Sequence, residues 1–381
     1  MNARRWIFIA ACVAGVAALA VILPLTLRSE GERTAPGAGD WPMPGGNPAH
    51  LSYLPLAPEG RLRELWSTRL EDEPAGPPAV AAGRVYAACR RGLLYCLDLE
   101  TGRPLWRHDA EGGVSCMPAV CERGILVATS DGRVRLVSSG GKPVWEAEVG
   151  GSVPSTPIPE GDGVYFGSVD AHLYCLDMAS GKKRWSFGAA GPVEVSPCVY
   201  EGQVFGVSYE GDLFALESGS GRLVWTFQSH AVPVACPAAD GGRVFLATEF
   251  EIFCLDAQSG KLLWEYETGP TVISDLALRG SQVLVVIGGE GLLSSTLALD
   301  ARTGDRLWDA ASGETSARTR LYASNKDAYL CGRDQLRALS VDSGTPSFDL
   351  ELPGVLPQTL TLTEERLLIG AQNRKVYCYG E

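Results

Sequence analysis

Histidine is scarce in this chain, four in 381 residues, and no two stand at a spacing that would hold zinc. The cysteines are more numerous, at 11. They include no Cys-x-x-Cys and no vicinal Cys-Cys pair, which removes the commonest zinc and thiol-redox motifs. Basic clusters are missing too. Nothing larger than Arg90-Arg91 or Lys182-Lys183 interrupts a net charge of −12, so a nucleic-acid or anionic-membrane footprint is excluded. Neither a Gly-x-Ser-x-Gly nucleophile elbow nor a phosphate-binding loop occurs. No long amphipathic pattern of helical period appears, which excludes helical repeats.

One long apolar run does exist. Residues 6–27 hold 22 positions without a charge, enough at 1.5 Å per residue to cross a hydrocarbon core of roughly 30 Å. They read as a transmembrane helix between a short cytoplasmic N-terminus, residues 1–5, and a linker, residues 28–40. The same run also fits a cleaved signal peptide at Ala18-Leu19-Ala20, although Val21 to Leu25 extend it past that cut. Ile9-Ala10-Ala11-Cys12 has the form of a lipidation box, with only about six apolar residues ahead of the cysteine. Arg4 and Arg5 on one side nearly balance Arg28 and Arg33 on the other, so charge alone does not orient the segment.

Beyond the linker, tryptophan recurs on a fixed period: Trp66, Trp106, Trp145, Trp185, Trp225, Trp264 and Trp308, with Phe348 in the next place. The intervals are 40, 39, 40, 40, 39, 44 and 40 residues. Such a period marks one repeated structural unit. Within each unit, β-branched and aromatic runs of five or six residues alternate with Gly/Asp/Ser turns, as in Arg243–Thr248, Ile252–Asp256 and Lys261–Tyr266. That is the pattern of consecutive antiparallel strands. Four strands and their turns fill the period, and four-stranded units in series are the blades of a β-propeller. Prolines near the start of each first strand (Pro78, Pro118, Pro157, Pro197, Pro237) suit an edge that donates nothing to a ladder. A glycine four residues before each tryptophan closes the last hairpin.

Seven units close on Trp106 through Phe348. The C-terminal tail supplies three strands of an eighth, and its missing fourth strand stands alone at the other end, around Trp66. Pairing the two closes the ring and removes the open sheet edges. The expected fold is therefore all-β: an eight-bladed β-propeller of four-stranded antiparallel blades over residues 41–381, closed by the N-terminal strand and preceded by the transmembrane helix. Cys96, Cys175, Cys254 and Cys378 share one repeat position with Ala215, Ala298 and Ala338, and act there as small apolar fillers. Cys116 and Cys121 could form a bridge. The repeated Asp98, Asp177, Asp256 and Asp300 stand before a turn, where a carboxylate accepts backbone N–H groups.

Ala298 to Trp308 matches, position for position, the Ala-x-Asp-x-x-Thr-Gly-x-x-x-Trp tryptophan-docking motif, and the chain is identified as a member of the PQQ-like propeller repeat family. Cys96–Trp106, Cys175–Trp185 and Cys254–Trp264 match with Cys for Ala, and Ala215–Trp225 matches with Glu217 for Asp. The second unit departs at Val137, and the seventh at Ser340 and Phe348. Trp41 to Asn47 resembles the segment that precedes such propellers. The resemblance implies that Trp66, Trp106, Trp145, Trp185, Trp225, Trp264, Trp308 and Phe348 dock between blades.

The family has two branches. Quinoprotein dehydrogenases bind pyrroloquinoline quinone with calcium over the axis and carry a vicinal disulfide and long top-face insertions, which this sequence lacks. The compact BamB-like branch binds proteins through surface loops. The expectation is thus a non-enzymatic, monomeric, membrane-anchored and periplasmic scaffold without cofactor or metal, whose partners are envelope or membrane proteins. A propeller binding pyrroloquinoline quinone or another small molecule is the alternative. The period slips once, in the sixth unit, where Ile287–Thr296 lengthens a turn; Glu290, Leu292 and Leu293 are candidate partner contacts there. Arg318 and Arg320, in the polar stretch 309–320, are further candidates.

Overall fold

The computed structural model describes residues 40–58, 62–114, 116–288, 293–314, 320–331, 335–352 and 357–381. The segment 6–27 expected to cross a membrane lies outside them, and among the described residues no helix is long and apolar enough to do so.

The described strands form eight four-stranded sheets. Blade 1 is Ala79–Ala81, Arg84–Ala88, Leu93–Asp98 and Pro104–Asp109, and blades 2 to 7 repeat the plan. Blade 8 joins Pro357–Leu362, Leu367–Ala371 and Lys375–Gly380 to the N-terminal strand Arg63–Arg69, whose Trp66 lies opposite Cys378. The closure expected from the sequence is thus formed, and no sheet is left open to the next.

The sequence pattern follows from position in a blade. The second and third strands are sandwiched by neighbouring blades and buried on both faces, so they are nearly all apolar. Outermost strands alternate exposed and half-buried residues, and there the charges lie. The side chain opposite each docking residue is small, Cys96 to Trp106 and Ala298 to Trp308, which leaves room for the indole; blade 2 instead sets Leu136 against Trp145. Burial pushes the Cys96 thiol up to about 12 and that of Cys175 to about 11, so these are inert fillers. All ten described cysteines are free: Cys116 donates to the Ala128 carbonyl, and Cys121 lies against Met178.

Each indole lies on the turn of the following blade. Trp66, Trp106, Trp145, Trp185, Trp225, Trp264 and Trp308 each donate Nε1–H to a carbonyl there, at 2.7–3.1 Å. Where the repeat keeps its carboxylate, that residue holds the turn, as Asp98 accepts from both the N–H and the hydroxyl of Thr101; blades 2 and 7 have Val137 and Ser340 in its place. Phe348 meets a different neighbour. In blade 8 the third and fourth strands, Lys375–Gly380 and Arg63–Arg69, come from opposite parts of the chain, so no hairpin turn joins them and no turn carbonyl there awaits an indole N–H. The sixth blade also differs: its third and fourth strands, Leu293–Asp300 and Arg306–Glu314, run two and three residues longer than the usual six, with Leu293 opposite Glu314. Much of the extra length is thus hairpin, and the expected loop Ile287–Thr296 is strand from Leu293 onward.

The docking contact can be separated from backbone strain. Gly83 and Gly221 both have φ near +70°; a Cβ on Gly83 meets nothing within 4 Å, whereas one on Gly221 would lie 2.5 Å from Cδ2 of Trp185. Gly83→Ala is expected to cost about 1 kcal/mol, and Gly221→Ala a further ~1–3 kcal/mol from overpacking. Denaturant unfolding of the two variants measures the difference.

Candidate functional site

In each blade the connections after the second and fourth strands emerge at one end of the ring, the top, and those after the first and third at the other. The innermost strands start near the top, and their leading residues wall a central cavity of about 210 Å³. Gly76, Cys116, Thr156, Glu194, Cys236, Asp275 and Arg320 come to it from seven successive blades.

The floor of the cavity is the segment just after the linker. Trp41 exchanges both backbone hydrogen bonds with Val80, and the carbonyls of Pro42, Pro48, Ala49, Leu51 and Ser52 accept from Val120, Val199, Ala239, Leu278 and Ala323. The segment is therefore a plug, pairing in turn with the otherwise unpaired inner edges of six blades. Trp41 is fully buried, edge-on to Tyr322 with ring centroids 4.9 Å apart.

Arg320 and Asp275 form an ion pair on the cavity wall. Arg320, a candidate contact from the sequence, thus lines the cavity with its side chain 39% exposed. The Asp275 carboxylate raises the guanidinium pKa against the cost of burial. Burial pushes the Cys236 thiol up to about 12, with Asp275 adding to it, and the Cys116 thiol up to about 11; neither is a nucleophile at neutral pH. Beneath the pair sits His50 of the plug. Its Nδ1 lies 3.2 Å from the Pro237 carbonyl, and its buried Nε2 has no partner among the described residues. Burial lowers its pKa to about 4, with Asp275 opposing and Arg320 assisting.

Around the cavity mouth, the turns between second and third strands differ from one half of the ring to the other. In blades 3, 4 and 5 they expose Val169, Tyr209 and Phe250, the last two by 51% and 50%. Val232 lies exposed in the connection between blades 4 and 5, and Leu293 of blade 6 is 79% exposed. Blade 1 instead carries Arg90 and Arg91, paired with Glu73 and Asp72, and blade 2 carries Ser130 and Asp131. An apolar arc thus spans blades 3 to 6 on the cavity side. Of the residues singled out from sequence, Leu293 belongs to this arc; Glu290, Leu292 and Arg318 lie outside the described residues. Val169, Tyr209 and Phe250 gave no sequence signal, since each is a lone apolar residue in a polar turn.

A family model described as outer membrane protein assembly factor BamB matches residues 59–167, 130–236 and 229–346. Among curated proteins, BamB of Nitrosomonas eutropha is 29% identical over 32% of this chain and 30% of its own length. A 1-butanol dehydrogenase (cytochrome c) of Thauera butanivorans is 32% identical over 28% of this chain and 18% of its own. The chain therefore spans well under half the length of these relatives. Among solved structures, BamB from Moraxella catarrhalis has a TM-score of 0.69 at 17% identity, covering 84% of this chain and 100% of that one. The quinohemoprotein alcohol dehydrogenase from Comamonas testosteroni reaches 0.75 at 14% identity, covering 90% and 80%. These two likenesses show the shared fold. The matches include both outer membrane protein assembly factors and alcohol dehydrogenases.

His50 makes the plug acid-sensitive. The unfolded chain takes up the proton near pH 6.5 and the folded one near pH 4, so the unfolded state holds more protons in that window. Stability therefore falls as pH drops through it, by about 3 kcal/mol when both forms are protonated. His50 has φ +55°, which asparagine tolerates. His50→Asn is expected to flatten the dependence of unfolding free energy on pH between 6.5 and 4, and an unchanged slope would assign it to other groups.

Proposed function

Because this chain belongs to the PQQ-like repeat β-propeller family, whose matching model is described as outer membrane protein assembly factor BamB, we propose that it is a non-catalytic scaffold. It binds envelope proteins through its top face. The periplasm is its compartment in this reading, residues 6–27 anchor it to a membrane, and the propeller is monomeric. The observation that carries the reading is the apolar arc of Val169, Tyr209, Val232, Phe250 and Leu293. Exposed aromatics gathered on one rim suit protein contacts, and the rigid stacked sheets beneath hold them in fixed relation.

The cavity is a poor match for the group that the catalytic relatives' fold implies. Pyrroloquinoline quinone carries three carboxylates, whereas the lining offers one cation, Arg320, already engaged by Asp275, with Glu194 adding negative charge. Among the described residues no three of His, Cys, Asp and Glu gather to hold a metal ion. These donors favour the reading without cofactor.

Two arms test the proposal. Tyr209→Ser and Phe250→Ser together are expected to leave stability within about 0.5 kcal/mol while abolishing site-specific cross-linking from the rim to an envelope protein identified by mass spectrometry. In the second arm, pyrroloquinoline quinone and calcium are added to the purified protein; a stoichiometric complex with dye-linked alcohol oxidation would replace the scaffold by the catalytic alternative.

A further inference from the structure

The plug pairs with six blades, and the gap in that series has a chemical cause. Val80, Val120, Val199, Ala239, Leu278 and Ala323 occupy one place in the repeat; in blade 3 that place is Pro159, which has no N–H to donate. The plug turns there through Pro44–Gly46, and a cavity of about 510 Å³ opens between it and blades 2 and 3. Three sulfur side chains line this cavity from three separate elements: Met43 of the plug, Cys121 ending the innermost strand of blade 2, and Met178 in the outer turn of blade 3. The Cys121 Sγ lies 3.7 Å from the Met178 Sδ. Methionine is rare in this protein, four residues in all, and two of them line this one cavity. Glu122, Glu160 and Asp162 surround the same cavity with Arg123 the one basic residue, so its local charge is negative.

We infer that this pocket binds one soft monovalent metal cation, copper(I) or silver(I), through Met43 Sδ, Met178 Sδ and Cys121 Sγ. Thioether and thiolate donors select such ions over harder ones. Two neutral thioethers and one thiolate cancel a single positive charge, and the surrounding carboxylates draw the cation in. On binding, the Cys121 S–H bond breaks, its proton passes to water and an S–metal bond forms, with no change in oxidation state. The site is on the face opposite the apolar arc and is independent of what that arc contacts.

The test uses the full-length protein in detergent with Cys12→Ser as background, titrated anaerobically with copper(I) buffered by a chromogenic chelator. One equivalent is expected to bind, releasing one proton and raising the melting temperature. Cys121→Ser or Met178→Leu should each weaken binding by roughly tenfold or more, while Cys116→Ser, which lines the other cavity, leaves it unchanged. Should Cys121→Ser fail to fold, the volume-conserving Met43→Leu/Met178→Leu pair carries the comparison. No binding by the parent protein, or binding of equal strength when both methionines are leucine, overturns the assignment.

Discussion

The contact on which the ring depends is an indole laid over a glycine. Each tryptophan leaves the outermost strand of one blade and covers the turn of the next, where a left-handed glycine keeps the approach open and a carbonyl accepts the ring N–H. The arrangement links neighbours at their periphery, far from the axis, where twisted sheets otherwise splay apart. It also fixes the spacing of the sequence: a turn and a tryptophan must recur once per blade. Where the turn is absent, at the junction between blades 7 and 8, the indole is replaced by Phe348. The departure from the motif thus accompanies a blade whose third and fourth strands are distant in sequence.

This explains which parts of the molecule were legible beforehand. A contact repeated seven times leaves a periodic trace, so blade number, strand order and the role of Trp66 in the last blade could all be read from spacing. The small residues opposite the tryptophans, and the aspartates bracing the turns, carried the same period. Nothing comparable announces the plug. Its bonds are made by backbone carbonyls, which every residue possesses, and its partners are spread from Val80 to Ala323. Beyond the likeness of Trp41–Asn47 to a segment that precedes such propellers, the side-chain trace of its path is negative, the proline at position 159 that cannot join the series.

Arg320 shows a second limit. In sequence it closes a polar stretch and resembles a surface residue; in space it faces Asp275, 45 positions earlier, across the junction of blades 6 and 7. The residues just ahead of the innermost strands come from seven blades, so a site built from them has no local signature. The apolar arc is hidden for a related reason. Val169, Tyr209 and Phe250 lie about 40 residues apart, each among polar neighbours, and only the radial arrangement of blades sets them side by side. Leu293 sits where the period slips, which is evidence of an insertion and carries no information about the arc it joins.

The two faces consequently differ in what they can do. The lower face is closed by a strap of backbone hydrogen bonds whose removal would expose unpaired inner edges in six blades, so it is bound to the integrity of the ring. The upper face is free of that duty. Its turns are short, and the one guanidinium that lines its cavity, Arg320, is already paired, which leaves the cavity little with which to hold a small anionic ligand and leaves the rim as the chemically distinctive surface. A propeller of this kind gains specificity from which residues its turns expose on adjacent blades. Here the change from Arg90 and Arg91 in blade 1 to Tyr209 and Phe250 in blades 4 and 5 breaks the pseudosymmetry of the ring, and under the proposed scaffold role it would give a partner a single orientation in which to dock.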